Sequence, residues 1–391
     1  AYPEKQVWLL YELIHNPQVN RQLQDEGINI LTVLPGQAMD LSIIGDDDVA
    51  IIPAFGAAFE CMAELAKRNV QMVDATCPWV SKVWTVLEKH KKDTFTSIIH
   101  GKVAHQEAKN HMSWAGKYLI VYSLADAEFV ADYILNGGSK EDFFARFPGE
   151  ATSPGFDPDT DLQYVGVANQ TTMLKGETQV IGRLLERTML QKFGVDEGRQ
   201  HFMAFNTICD ATQDRQDALY AMMGTAYEAP KSALYSALEA AQPDVTLQSD
   251  RKSTVTSAKM DEETKGVANR PVAGELQEPV KPADIVLVLG GHNSSNTTSL
   301  AMIAAKQGVP TYHISSAAAL GGATGEENVL VHKPLTTTAN DAVQGRGLDT
   351  VEGWLPEGDV CIGITAGAST LDLFVAETLE RLLQIRAAQL E

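Results

Sequence analysis

The chain has 391 residues, enough for two or three domains with ample core, and its 44% hydrophobic content is that of an ordinary globular protein. A formal charge of −20 argues against non-specific nucleic-acid binding, so an anionic ligand must be held by local groups against an unfavourable overall field. No apolar run is long enough to span a bilayer and no signal peptide is visible, while four scattered cysteines without a CxxC pair (Cys61, Cys77, Cys209 and Cys361) fit a reducing compartment better than a disulfide scaffold.

Val7 to Leu10 reads as a strand, so the chain is expected to begin inside a domain. His15-Asn16-Pro17 then places Asn16 as an N-cap and Pro17 at the first helical position of a helix that stops at Gly27. Val49 to Pro53 is a second strand, leading through Phe55-Gly56 into a helix from Ala57 to Arg68. Val70 to Ala75 is a third strand. It ends in Asp74-Ala75-Thr76-Cys77-Pro78, followed by a helical pattern from Trp79 to Lys91. A cysteine at a strand's C-terminal end, just before a proline-started helix, sits where open α/β sheets put their chemistry and where thiolate is favoured. The competing reading is a small buried hydrophobe.

Strands alternating with helices predict βαβ units and parallel sheets. Thr96 to Ile99 delivers His100 to Glu107, and Tyr118 to Tyr122 precedes a helix from Ala127 to Leu135. A polar loop covers 148–161. Tyr164 to Ala168 ends in Asn169-Gln170-Thr171-Thr172, before a helix from Lys175 to Phe193. His201 to Ile208 is expected as a strand ending at Cys209. Residues 224–282 lose strand patterning and read as a solvated insertion, with one possible helix from Ser232 to Ala241. Ile285 to Leu289 is a buried strand that opens into Gly290-Gly291-His292-Asn293-Ser294-Ser295-Asn296 and a helix through Lys306. Thr311 to Ile314 follows, then a second loop-rich insertion at about 318–353. Val360 to Thr365 is the last strand. It ends in Ala366-Gly367-Ala368-Ser369, before a helix from Leu371 to Gln384 and a frayed tail.

Gly290 to Asn296 carries the strongest local signal. Glycines let a ligand approach the backbone, and hydroxyl and amide groups at a helix N-terminus suit an anion. The pattern is neither GxGxxG nor Walker A, so no nucleotide is implied. Ala366 to Ser369 offers a second such turn; together the two point to phosphate or diphosphate, with N-capped turns as the structural alternative. His105 and Glu107 form the best acid/base pair, and a glutamate in a dry site can have a raised pKa and donate a proton. A solvated helix start is the alternative. His15 could neutralise a phosphate or be a turn residue, and Thr171 could orient a hydroxyl or cap a helix. Asp74 and Asp210, beside cysteines, read as structural, and Trp79 and Trp84 as core.

Six motifs occur in one order: Asp-Ala-Thr-Cys-Pro-Trp-Val-Ser-Lys-Val from Asp74, His105-Gln106-Glu107, Asn169 to Thr172, Thr207-Ile208-Cys209-Asp210-Ala211-Thr212, Asn293 to Asn296, and Thr365 to Ser369. That order resembles the 4-hydroxy-3-methylbut-2-enyl diphosphate reductases, which complete the methylerythritol phosphate route to isoprenoids. Ala54-Phe55-Gly56, Pro78-Trp79 and His100-Gly101-Lys102 look most like the plant and cyanobacterial branch. The resemblance implies an α/β fold of three small domains with parallel sheets around a central iron–sulfur site. The corresponding boundaries are 1–77, with its N-terminal part expected to be missing, 78–208, and 209–391, with the insertions at about 224–282 and 318–353. It implies a 4Fe–4S cluster held by three thiolates, of which Cys77 and Cys209 are two by motif match. Glu107 would relay protons beside His105, and Thr171 would orient the substrate hydroxyl. His15, His105, Ser294, Ser295, Asn296 and Ser369 would bind the substrate, and a ferredoxin-type protein would donate electrons.

Two departures stand out. The family's first cysteine lies in a Gly-Phe-Cys segment before the position of His15, where this chain has no cysteine, and neither Cys61 nor Cys361 fits that motif. Phe55 stands where many bacterial members have a diphosphate-binding histidine; in the plant-like branch phenylalanine is expected there. The reductase is therefore the expected function. A diphosphate-binding or regulatory module without an intact cluster is the rival, and a cluster-free phosphate-transfer enzyme a weaker third reading. The long acidic insertions point to a plastid stroma, with a bacterial cytoplasm as the alternative. No nucleic acid or membrane partner is expected, and the sequence leaves the oligomeric state open.

Overall fold

The computed structural model describes residues 4–32, 39–204, 207, 209–226, 228, 230–243, 245–248, 281–335 and 347–391. It is an α/β protein whose three main sheets are wholly parallel. The chain divides into two compact, discontinuous units. One comprises 1–13, 23–209 and 228–260; the other comprises 14–22, 210–227 and 261–391.

The first unit holds two sheets. In one, β1 (Val7–Leu10), β2 (Asn29–Leu31), β3 (Val49–Ile52) and β4 (Gln71–Asp74) lie in the order β2-β1-β3-β4. Leu10, Ile52, Ile44 and Leu65 form its core, Leu65 coming from α2 (Phe59–Lys67). The strand expected over Val70 to Ala75 is the edge strand β4. It is largely exposed, because only one neighbour covers it.

In the other sheet, β5 (Thr96–His100), β6 (Tyr118–Val121), β7 (Val165–Asn169) and β8 (Phe202–Ala204) lie in the order β6-β5-β7-β8. Alternate residues of one strand serve opposite faces, as the pleat requires. Ile98 packs with Leu184, Leu185 and Phe143, while Ile99 packs with Val83 and Leu87. The strand expected from His201 to Ile208 is shorter, and 205, 206 and 208 lie outside the described residues.

The second unit is built on β9 (Ile285–Leu289), flanked by β10 (Thr311–Ile314) and β13 (Ile362–Ala366). Leu287 and Leu289 bury against Leu382 and Ile385 of the closing helix. That helix runs from Asp372 to Leu390, so no frayed tail follows Gln384: Leu382 and Ile385 keep an apolar stripe on the core through its second half.

Both insertions are more structured than the sequence implied: the helix anticipated from Ser232 to Ala241 is present and packed, and the second insertion holds an unforeseen ribbon. Ala233–Ala241 is helical and places Leu238 in the core of the second sheet, so this part of 224–282 is packed, not solvated; 251–280 lie outside the described residues. Within 318–353, β11 (Val329–His332) and β12 (Asp349–Glu352) pair as an antiparallel ribbon, because Leu330 buries against Trp354 and Leu355. Helix Lys140–Arg146, β2 and two short helical segments inside 148–161 were also unforeseen. Cys361 lies just before β13 rather than within it.

Candidate functional site

In the first unit the functional candidates follow the C-terminal ends of parallel strands, where open sheets expose their chemistry. β4 ends at Asp74, whose carboxylate accepts from Thr76 N at 2.9 Å and shapes the turn, a structural role as expected. Cys77 is the N-cap residue of α3 (Pro78–Lys92), with Pro78 at the first helical position. Its backbone N–H donates to Ala54 O at 2.8 Å, tying it to the Phe55-Gly56 turn. Phe55 is buried. Its carbonyl and that of Gly56 accept from Asn110 Nδ2 at 3.0 and 2.8 Å.

β5 ends at His100, and five residues on His105 caps α4 (Gln106–Trp114). His105 Nδ1 accepts from Glu107 N at 3.2 Å, which places the proton of the neutral ring on Nε2. Glu107 is 3% exposed. Its Oε1 accepts from the backbone N–H of Thr171 at 2.6 Å and from His111 Nε2 at 3.2 Å. The expected raised pKa is corrected. Burial alone would raise it, but the His111 hydrogen bond, the charges of His111 and His105 and the Thr171 N–H together hold the carboxyl below its usual range.

Thr171 itself is buried after β7, in a turn braced by its neighbours. Gln170 Oε1 accepts from Lys102 N at 3.1 Å, its Nε2 donates to Thr172 Oγ1 at 2.8 Å, and Asn169 Oδ1 accepts from Thr207 Oγ1. Thr207 stands two residues before Cys209, a buried cysteine outside any disulfide, immediately before the helix Asp210–Met222. His111 and Asn110 were not singled out in the sequence, and Thr207 only as part of the motif around Cys209; for His111, its i+4 spacing from Glu107 on one helix was the available signal.

The remaining candidates lie in the second unit. Asn16 Oδ1 accepts from Gln18 N at 3.1 Å and Val19 N at 3.3 Å, the expected N-cap, while its Nδ2 donates to Ser369 O at 3.1 Å. His15 Nδ1 meets Asn293 Nδ2 at 3.4 Å. A Cβ on Gly291 would stand 2.1 Å from the His15 carbonyl oxygen, so only glycine permits this approach. Ser294 caps the helix Ser295–Lys306, accepting from Thr297 N at 3.3 Å. Asn296 joins three segments: Oδ1 accepts from Ala368 N at 2.9 Å and Nδ2 donates to Thr212 Oγ1 at 3.3 Å. Ser295 Oγ is buried and has no partner among the described residues. The structure thus brings His15, Ser294, Ser295, Asn296 and Ser369 around two strand-turn-helix junctions. An orphaned hydroxyl and a helix dipole at the first of these suit an anion.

Residues 1–229 and 267–383 match the family described as LytB protein. The chain belongs to the LytB family. It is 43% identical over 385 residues to the 4-hydroxy-3-methylbut-2-enyl diphosphate reductase of Trichodesmium erythraeum, a match covering 98% of this chain and 78% of that protein. The enzyme of the same name from Synechococcus sp. strain RCC307 is 43% identical over 387 residues, covering 99% and 78%. The solved E-1-hydroxy-2-methyl-but-2-enyl-4-diphosphate reductase of Plasmodium falciparum matches with a TM-score of 0.54 at 16% identity, covering 96% of this chain and 78% of that one; this likeness is one of fold.

For a LytB chain the question is which residues suit an iron–sulfur cluster. Cys77 and Cys209 are outside any disulfide and stand at helix N-termini, and in donor chemistry, thiol sulfur, they fit. The other two cysteines do not. Burial and the Glu60 carboxylate push the Cys61 thiol up, away from thiolate, and Cys361 Sγ sits 3.5 Å from Lys281 O. Among the described residues no three His, Cys, Asp or Glu side chains group closely enough to hold a metal ion. No helix among them is long and apolar enough to cross a membrane.

Proposed function

We infer that this chain is an oxidoreductase that removes the hydroxyl of 4-hydroxy-3-methylbut-2-enyl diphosphate as water. Two electrons and two protons are taken up, and isopentenyl and dimethylallyl diphosphate are formed as the last step of the methylerythritol phosphate pathway. The observation that carries the assignment of its residues is the contact between Glu107 Oε1 and the Thr171 backbone, which fixes a buried carboxylate against the turn after β7.

A 4Fe–4S cluster with Cys77 and Cys209 among its thiolates would supply the electrons and an open iron for the allylic hydroxyl. The chain's own residues handle the protons and the substrate. Both contacts of Glu107 fall on Oε1, so delivery falls to Oε2. Because its carboxyl is held low, Glu107 rests ionised and passes on protons that it first receives, a relay rather than a reservoir. His105 is its near neighbour in that relay, and Thr171, locked through its own N–H, presents a hydroxyl to orient the substrate. In the second unit His15, Ser294, Ser295, Asn296 and Ser369 hold the diphosphate. Asn296 does so chiefly by fixing the Ala368 turn, since both ends of its amide are engaged.

The three parallel sheets, spanning 7–74, 96–204 and 285–366, support a division into three α/β domains at 1–77, 78–208 and 209–391. A ferredoxin-type protein is the proposed electron donor. The acidic insertions are the ground for placing it in a plastid stroma; the likeness to cyanobacterial enzymes fits that and a bacterial cytoplasm equally. The direct test is Glu107→Gln in the cluster-loaded protein: turnover should collapse while iron and acid-labile sulfide stay at the wild-type level. Undiminished turnover would remove Glu107 from the relay.

A further inference from the structure

Lys333 follows β11, in the segment expected to be a loop-rich insertion. Its backbone N–H donates to His313 O at 2.9 Å, which stitches the ribbon to the edge strand β10. Its ammonium reaches back to the turn after β9 and donates to His292 O at 2.6 Å. His313, fully enclosed beneath, donates from Nε2 to Gly290 O at 3.1 Å and lies edge-on to His292, with ring centres 5.0 Å apart. Two carbonyls of Gly290 to Asn296 are thus gripped from below.

The charges in this hub are unusual for a chain of net charge −20. No carboxylate forms an ion pair with Lys333 among the described residues, and burial lowers its pKa with nothing to offset it. His292 is pushed down by burial and by Lys333, and His313 falls to about 3, so both rings are neutral near pH 7. Lys333 is a partly desolvated cation without a counterion, which costs free energy unless an anion completes it. The turn it grips begins a helix whose first residue, Ser295, holds a buried hydroxyl with no partner.

Resting on the reading of this turn as the diphosphate site, we propose that Lys333 is a further binding residue of that site, its built-in countercharge. The remainder of the ribbon then serves to carry this cation to the turn.

The test is the affinity of the full chain for inorganic pyrophosphate, measured by titration calorimetry across ionic strength, in wild type, Lys333→Met, Lys333→Arg and Ser295→Ala. Lys333→Met should weaken binding at least about tenfold at low salt and flatten its salt dependence. Lys333→Arg should stay within about threefold of wild type. In turnover, the Lys333→Met loss should fall on KM rather than kcat. If Ser295→Ala weakens binding and Lys333→Met does not, the turn binds diphosphate and the role of Lys333 is overturned. If neither weakens it, the diphosphate reading itself fails and Lys333 falls with it. A Lys333→Met loss that Lys333→Arg does not restore and salt does not screen would mark Lys333 as purely structural, and would also overturn the proposal.

Discussion

The backbone N–H of Thr171 donates to Oε1 of Glu107 at 2.6 Å, across 64 residues of chain. One oxygen of the carboxylate is thereby committed to structure and the other is left for chemistry. Removing the charge should affect the two functions differently. Glu107→Gln keeps an acceptor for Thr171 but abolishes the ionisable group, so kcat should fall by about 10²–10⁴ with little change in melting temperature. A kcat within threefold of wild type, read in the same assay, would contradict this.

His111 sits one helical turn beyond Glu107 and donates to the same oxygen at 3.2 Å. It helps hold the carboxyl below its usual range. His111→Asn should therefore raise the Glu107 pKa and shift the acid limb of the kcat profile to higher pH. An unmoved limb would mean that His111 only fills space.

Acid should destabilise the protein earlier than its carboxylates alone would. Burial pushes His90 and His100 down to about 4, whereas in the unfolded chain they titrate near 6.5. Between those values the unfolded state binds more protons. Stability thus falls as pH drops from 6.5 towards 4, by a few kcal/mol in total, and these two groups add nothing further below that. Glu107, whose folded pKa is lowered, adds a loss of the same sign as pH falls through and below the ordinary carboxylate range. Chemical denaturation at stepped pH measures the slope; a flat profile from pH 7 to 5 would exclude the histidine contribution.

Much of this was legible in sequence because caps and strand ends are local. Asn16-Pro17 and Cys77-Pro78 announce helix starts with neighbouring residues alone, and both lie where expected. Glu107 was visible for the same reason, but the direction of its pKa was not, since it turns on burial, on His111 and His105 and, last, on the Thr171 N–H, and burial and the Thr171 contact exist only once the sheet has formed. Lys333 left no signal at all: its partner is 41 residues away and is a carbonyl, which every residue has. The strand pair 329–332 and 349–352 is not evident in the sequence because its apolar run is short and its core partners, Trp354 and Leu355, lie outside it.

Gly291 offers a sharp steric test. Its missing Cβ leaves room for the His15 carbonyl, which a methyl group would meet at 2.1 Å. Because the obstruction is backbone, Gly291→Ala must displace one segment or the other. It should cost about 1–3 kcal/mol of stability and raise the substrate KM. Gly308→Ala, whose Cβ meets nothing within 4 Å but whose φ is +79°, separates backbone strain from collision: it should lose stability without the KM effect. Equal KM values for the two variants would refute the steric account.

Asn16 and Ser369 are joined by a hydrogen bond across 353 positions. During synthesis, at about 5–20 residues per second, the early partner waits roughly 20–70 s for the late one to be made. The unit containing 14–22 cannot close until residue 369 has been made, although the flanking chain on either side can already fold. A nascent chain stalled before residue 369 should therefore expose an unfinished His15 arm to proteases and chaperones, and ribosome-bound intermediates of increasing length should gain protection there last.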